Sequence, residues 1–134
     1  MLHNLTLGHL DPEAVSNRMA VVLRPLEEGI VGQILRQLGE RDAEGRWRLG
    51  GRKVELRDGY VVVPWLGGGA NCVSEEFALR LHRVTGCLLA DREHGRIIAP
   101  EQLKGLDGRT AATQAAGVAT SERVVQPDQT GGGR

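Results

Sequence analysis

Val61-Val62-Val63-Pro64-Trp65-Leu66-Gly67-Gly68-Gly69-Ala70-Asn71-Cys72-Val73-Ser74-Glu75-Glu76-Phe77 is the stretch whose reading decides the fold. The β-branched run closing on Pro and Trp reads as a strand, three glycines interrupt it, and the residues beyond have helical spacing. Ser74 is placed to cap the helix by accepting a bond from an orphan N–H of the first turn. Glu75 and Glu76 put negative charge at the positive end of the helix dipole. Phe77, Leu81 and Val84 recur at i, i+4 and i+7 and predict one apolar stripe, with Arg80 and Arg83 turned away from it. Gly86 suits the left-handed stop of the helix. Cys87 to Asp91 is too short for a helix and predicts a strand. Arg92-Glu93-His94-Gly95 is a turn, and Arg96 to Ala99 returns as the partner strand. Pro100 opens a helical turn reaching Leu103.

Upstream, the same strand is expected to complete a three-stranded antiparallel meander. Residues 46–49 and 52–57 alternate polar and apolar, and Asp58-Gly59 is a favoured two-residue hairpin turn. Trp47, Leu49, Val54 and Leu56 should share its buried face. Pro64 lacks an N–H and belongs at a strand end or a sheet edge. Glu40 to Gly45 reads as a polar linker. Leu26, Ile30, Ile34 and Leu38 fall on one face of a helix over 26–38 that Gly39 ends. Gly29 and Gly32 inside it cost about 1 kcal/mol each relative to Ala, a cost that suggests close approach of a neighbouring backbone. Asp11-Pro12-Glu13 starts an earlier helix, with Val15, Met19 and Val22 apolar and Pro25 ending it. Residues 19–23 could also form a strand, and the helical reading is preferred. Leu5-Thr6-Leu7 is a short leading strand.

The fold class that follows is α+β: two N-terminal helices, a three-stranded antiparallel meander, one helix and a C-terminal β-hairpin, in a single domain over residues 1–106. Residues 107–134 contain no Leu, Ile, Phe, Trp or Tyr, so they predict a disordered polar tail that cannot bury enough apolar surface to order itself. No internal repeat is visible.

The 17 basic and 17 acidic residues of this 134-residue chain cancel, so no global field points to nucleic acid or an anionic membrane. The apolar fraction is 40% but the aromatic fraction only 3%, which leaves the core to Leu, Val and Ile. Cys72 and Cys87 could form one disulfide but do not suggest a cysteine-stapled scaffold. Met1-Leu2-His3-Asn4 lacks the features of a signal peptide, and the apolar runs fall short of the roughly 20 residues a membrane span needs. These features imply the cytoplasm with reduced thiols. Basic residues other than Lys53 and Lys104 are all Arg, a bias of GC-rich bacterial genomes.

Few stretches could carry chemistry. Gly67, Gly68, Gly69 and Asn71 lie where backbone N–H groups can meet an anion before a helix, but the Gly-Lys-Ser/Thr ending of a phosphate loop is missing. Cys72 gains nucleophilicity from a helix N-terminus but needs a base. His82 is about 15 Å away along the same helix at ~1.5 Å per residue. His94 sits in a distal turn, and His3 and His9 approach only if the fold brings them. With the histidines scattered, no metal site and no cofactor are expected. Arg46, Arg48, Lys53 and Arg57, interrupted by Glu55, line the outer face of the meander and suit phosphates or an acidic protein. Single-stranded nucleic acid would also require exposed aromatic residues. The function expected is a small bacterial, cytosolic, non-enzymatic protein-binding module, an adaptor or an antitoxin- or immunity-like inhibitor. Its partner would be another protein or a second copy of itself. The alternative is a cysteine-dependent hydrolase or transferase using Cys72.

Overall fold

The computed structural model describes residues 3–65 and 72–106, and for Cys72 the backbone alone. Helix and strand are mixed, as expected of α+β, but their order differs from the expected one. The chain opens with strand β1 (His3–Leu10), and the helix after it, α1 (Pro12–Ser16), lasts only five residues. Its start is the predicted one, with Asp11 accepting from the Glu13 amide at 3.0 Å and Pro12 in the first turn. It stops because polar side chains compete for its carbonyls: Ser16 Oγ and Asn17 Nδ2 both donate to Glu13 O, at 2.7 and 3.2 Å. Two closing bonds of 2.8 Å follow, from the Arg18 amide to Val15 O and from the Met19 amide to Ala14 O. This is the Schellman pattern, and its left-handed position is held by Arg18 at φ 64°. An L-residue is disfavoured there by roughly 1 kcal/mol or more.

Met19 is therefore exposed and not on a helix face. Strand β2 (Val22–Arg24) pairs with the end of β1, His9 with Arg24 and Leu10 with Val22, so the strand reading of this region is the right one for its second half. The second helix, α2 (Glu28–Leu38), starts two residues after Leu26. Neither glycine inside it meets a neighbouring backbone: Gly29 has open space around it, and Gly32 faces only the tip of Arg36. The close approach lies at Gly39, where a Cβ would come within 2.7 Å of Arg48 O.

The expected linker and meander are also redrawn. Within residues 40–45, β3 (Glu40–Arg41) pairs with β4 (Trp47–Leu49). Between them Asp42 Oδ1 accepts the amides of Glu44 and Arg46, both at 2.9 Å. Strand β5 (Arg52–Lys53) completes this small sheet against β4. One residue on, β6 (Glu55–Leu56) changes sheets and pairs with β7 (Val61–Trp65) across the Asp58-Gly59 turn. Val54, whose amide donates to Trp47 O at 3.0 Å, marks the switch. Leu49 and Val54 are buried as expected, Trp47 is half-buried, and Leu56 is 54% exposed.

The main sheet runs β6–β7–β1, then β8 (Leu88–Asp91) and β9 (Arg96–Ile97), all antiparallel, with β2 beside the end of β1. β1 is its centre: Leu5 pairs with Val63 on one side and Leu7 with Leu89 on the other. The two-residue side-chain period sends Leu5, Leu7, Val61, Val63 and Leu89 to one face. There they meet Val31, Ile34 and Leu35 of α2 and Phe77, Ala78 and Leu81 of α3 (Cys72–Thr85). Neither helix, nor any other among the described residues, is long and apolar enough to cross a membrane.

α3 begins earlier than Ser74, so Ser74 lies inside its first turn and is not the cap. Residues from Ser74 to Leu79 are all buried, while Val84, expected on the apolar stripe, is 62% exposed. Gly86 ends the helix at φ 72°. The two glutamates do more than complement the dipole. Glu75 accepts from Trp65 Nε1 at 2.7 Å and from the Lys104 amide at 2.6 Å. Glu76 accepts from Arg80 Nε at 2.6 Å and from the Leu106 amide at 3.1 Å. They fasten the C-terminal segment, after the Pro100–Gln102 turn, onto α3. The proposed tail, 107–134, lies outside the described residues.

Candidate functional site

The residues singled out from sequence scatter. Gly67, Gly68, Gly69 and Asn71 lie outside the described residues, and Cys72 is described only as the first residue of α3. Cys87 is a buried free thiol whose pKa burial pushes up, against weaker opposing hydrogen bonds. Arg46, Arg48 and Lys53 belong to the small sheet and its turn, whereas Arg57 belongs to the β6–β7 hairpin of the main sheet. Arg48 is tied down by Asp42 at 3.1 Å and by Gly51 O at 3.0 Å. The four basic residues therefore do not make one platform.

A groove of about 660 Å³ instead opens on the face of the main sheet away from α2 and α3. Asn4, Thr6 and Val62 form its floor, being the outward alternates of β1 and β7. Gly8 shapes one end: a Cβ there would lie 2.9 Å from Cβ of Tyr60, so only glycine lets Tyr60 cross β1. Arg57 enters from the hairpin, Arg92 and His94 from the turn after β8, His3 from the start of β1, and Arg18 from the turn after α1.

Hydrogen bonds hold most of these side chains in place. Arg92 Nε donates to Thr6 Oγ1 at 3.1 Å, Arg57 pairs with Glu55, and His3 Nδ1 lies 3.3 Å from Glu93 Oε1. Asp91 Oδ2 takes both His94 Nδ1, at 2.8 Å, and Arg96, at 2.9 Å. Burial alone would raise the Asp91 pKa, but the hydrogen bonds and charges of Arg96 and His94 outweigh it and hold the carboxyl below its ordinary range. An ionised carboxylate only accepts, so His94 carries its proton on Nδ1 and turns Nε2 away from Asp91. The His3 and His94 rings stand 5.2 Å apart. Strand β1 thus delivers a histidine from the start of the chain to one near residue 94. His9, at the other end of β1, stays apart, and burial followed by Arg24 lowers its pKa. Among the described residues no three metal-ligating groups converge.

A second depression, of about 370 Å³, lies on the other side of the β6–β7 hairpin. Leu26, Val31 and Leu35 from the α2 side, Trp47 of β4 and Leu56 of β6 line it. Leu26, Val31 and Leu35 are themselves buried there, while Leu56 is exposed. The two depressions share Arg57 and Tyr60.

Comparison with protein-family models, with curated proteins and with solved structures finds no match for this chain.

Sequence reading missed the groove because its walls come from four separate segments. One local signal was available: Asp91 and His94 stand three residues apart across a turn, a spacing that lets a carboxylate orient an imidazole.

Proposed function

We propose that the protein is a non-enzymatic protein-binding module, an adaptor or an antitoxin- or immunity-like inhibitor, that takes an apolar side chain of its partner in the cleft beside α2. The observation that carries this reading is Leu56, 54% exposed at the mouth of a cleft lined by Leu26, Val31, Leu35 and Trp47. Apolar surface gathered in a concavity gains more from a partner than the same surface scattered singly. The cysteine-dependent alternative gains no such support: His82, on the same helix as Cys72, directs its Nδ1 at Cys87 O, 2.8 Å away.

The test is a photocrosslinking amino acid at position 56 of the full chain, expressed in its native source. A single protein adduct should form, and a Trp47→Ala change should diminish it. Adducts no more abundant than those from the exposed position 36 would count against the reading. A Cys72→Ser variant that abolished the adduct would return attention to the thiol.

A further inference from the structure

The groove on the open sheet face raises a question that the cleft does not. Three arginines, Arg18, Arg57 and Arg92, line it from three unconnected segments. Two have local partners, Glu55 for Arg57 and the Thr6 hydroxyl for Arg92. Arg18 pairs with no carboxylate among the described residues, although Glu55 and Glu93 both line the same groove.

The backbone at Arg18 makes its identity informative. Its φ is 64°, and the amides of Arg18 and Met19 complete the closing bonds of α1. Glycine is the residue that position favours, because it has no Cβ to strain. An arginine there costs stability in the backbone, yet the residue lines the groove. Backbone strain of this kind points from structure toward a binding role.

We propose that the groove is a binding site for a small organic phosphate monoester, with Arg18 as the residue that grips its phosphate. A carboxylate presents two oxygens in one plane and suits a single guanidinium fork. A phosphate monoester presents three terminal oxygens in different directions, which matches cations arriving from three segments. The groove, at about 660 Å³, is far larger than a bare phosphate and lies within the range of small-molecule sites. His94, oriented by Asp91, and Tyr60 are positioned beside the phosphate to meet the organic part of the ligand.

The groove shares Arg57 and Tyr60 with the cleft beside α2, but Arg18, on which its test turns, does not line that cleft. Phenyl phosphate and benzoate are titrated into the full chain at matched ionic strength, followed by backbone amide NMR and by thermal melting. Phenyl phosphate should bind saturably, shift the amides of Arg18, Arg92 and His94, and bind at least tenfold more tightly than benzoate. Arg18→Gly should melt about 4 °C higher without ligand, as expected for relieving one left-handed residue in a domain of this size. The same variant should bind phenyl phosphate at least tenfold more weakly, while Arg36→Ala binds like the parent. No saturable binding in the millimolar range, benzoate binding as tightly as phenyl phosphate, or an Arg18→Gly variant that binds unchanged would each overturn the proposal.

Discussion

Trp65 Nε1 donates to Glu75 Oε2 at 2.7 Å, and both residues are buried. The bond joins the end of β7 to the first turn of α3. The other oxygen of the same carboxylate holds the Lys104 amide at 2.6 Å. No cation pairs with Glu75 among the described residues, and such a buried carboxylate is tolerable only when hydrogen bonds replace its lost water; the helix N-terminus adds favourable field. Glu75→Ala strands the buried Trp65 donor and the part-buried Lys104 amide at once and should cost about 2–4 kcal/mol. Glu75→Gln keeps one acceptor oxygen and should cost less. Urea unfolding followed by tryptophan fluorescence distinguishes them, and equal losses for Ala and Gln would count against this assignment.

Phe77 is fully buried in the main core, and Val84 on the same helix is largely exposed. Phe77→Ala should destabilise by about 3–5 kcal/mol, the usual cost of emptying an aromatic core site. Val84→Ala should stay within about 0.5 kcal/mol. Chemical denaturation of the two variants tests whether the real stripe ends before Val84. A costly Val84→Ala would mean that this end of α3 is covered in solution.

Asp91 adds a pH dependence whose sign follows from its lowered pKa. In the unfolded chain an aspartate titrates near its ordinary value of about 3.9. The native form holds its proton less tightly, so the stabilisation is present above that value and is lost as pH falls through it toward the native pKa. Asp91→Asn should therefore lower stability by about 1–3 kcal/mol at neutral pH, the range for hydrogen bonds to a charged group. The gap between parent and variant should narrow below about pH 4. Denaturation midpoints measured from pH 7 down to pH 2 would show it, and a constant gap would refute the linkage.

Truncation tests whether residues beyond 106 contribute to the stability of the fold. A chain ending at Asp107 keeps the Leu106 amide on Glu76 and should melt within about 2 °C of the full chain. A chain ending at Leu103 loses that bond and the Lys104 bond to Glu75. It should melt at least 4 °C lower, at about 1 kcal/mol or more for the two. Scanning calorimetry decides between these outcomes. A large loss on removing residues 108–134 alone would show that they pack.

Local chemistry was legible wherever neighbours in sequence settle it. The Asp11-Pro12-Glu13 start, the Asp58-Gly59 turn, the Gly86 stop and the strand–turn–strand over 88–97 all depend on a few adjacent residues. The length of α1 was misread because Val15, Met19 and Val22 suit either a helix or a turn followed by a strand. The outcome rests on the closure at Arg18 and on β2 finding the end of β1. The strand over 52–56 was read as part of one meander because alternation reports which side chains share a face and not which neighbour accepts the hydrogen bonds. Glu75 and Glu76 read only as charges complementing the helix dipole, since nothing nearby in sequence reveals that residues 104 and 106 return to them.

The amino-acid sequence by itself determined the mixed α+β content, several turns and helix ends and most of the residues available for the core, because these follow from short-range sterics and side-chain periodicity. Only the tertiary structure decided that β1 lies at the centre of the main sheet, that the basic residues of 46–57 divide between two sheets, and that His3, Arg18, Arg57, Arg92 and His94 line one groove. Those are long-range pairings, in which β7 and β8 satisfy the two edges of β1, and no local pattern encodes that choice.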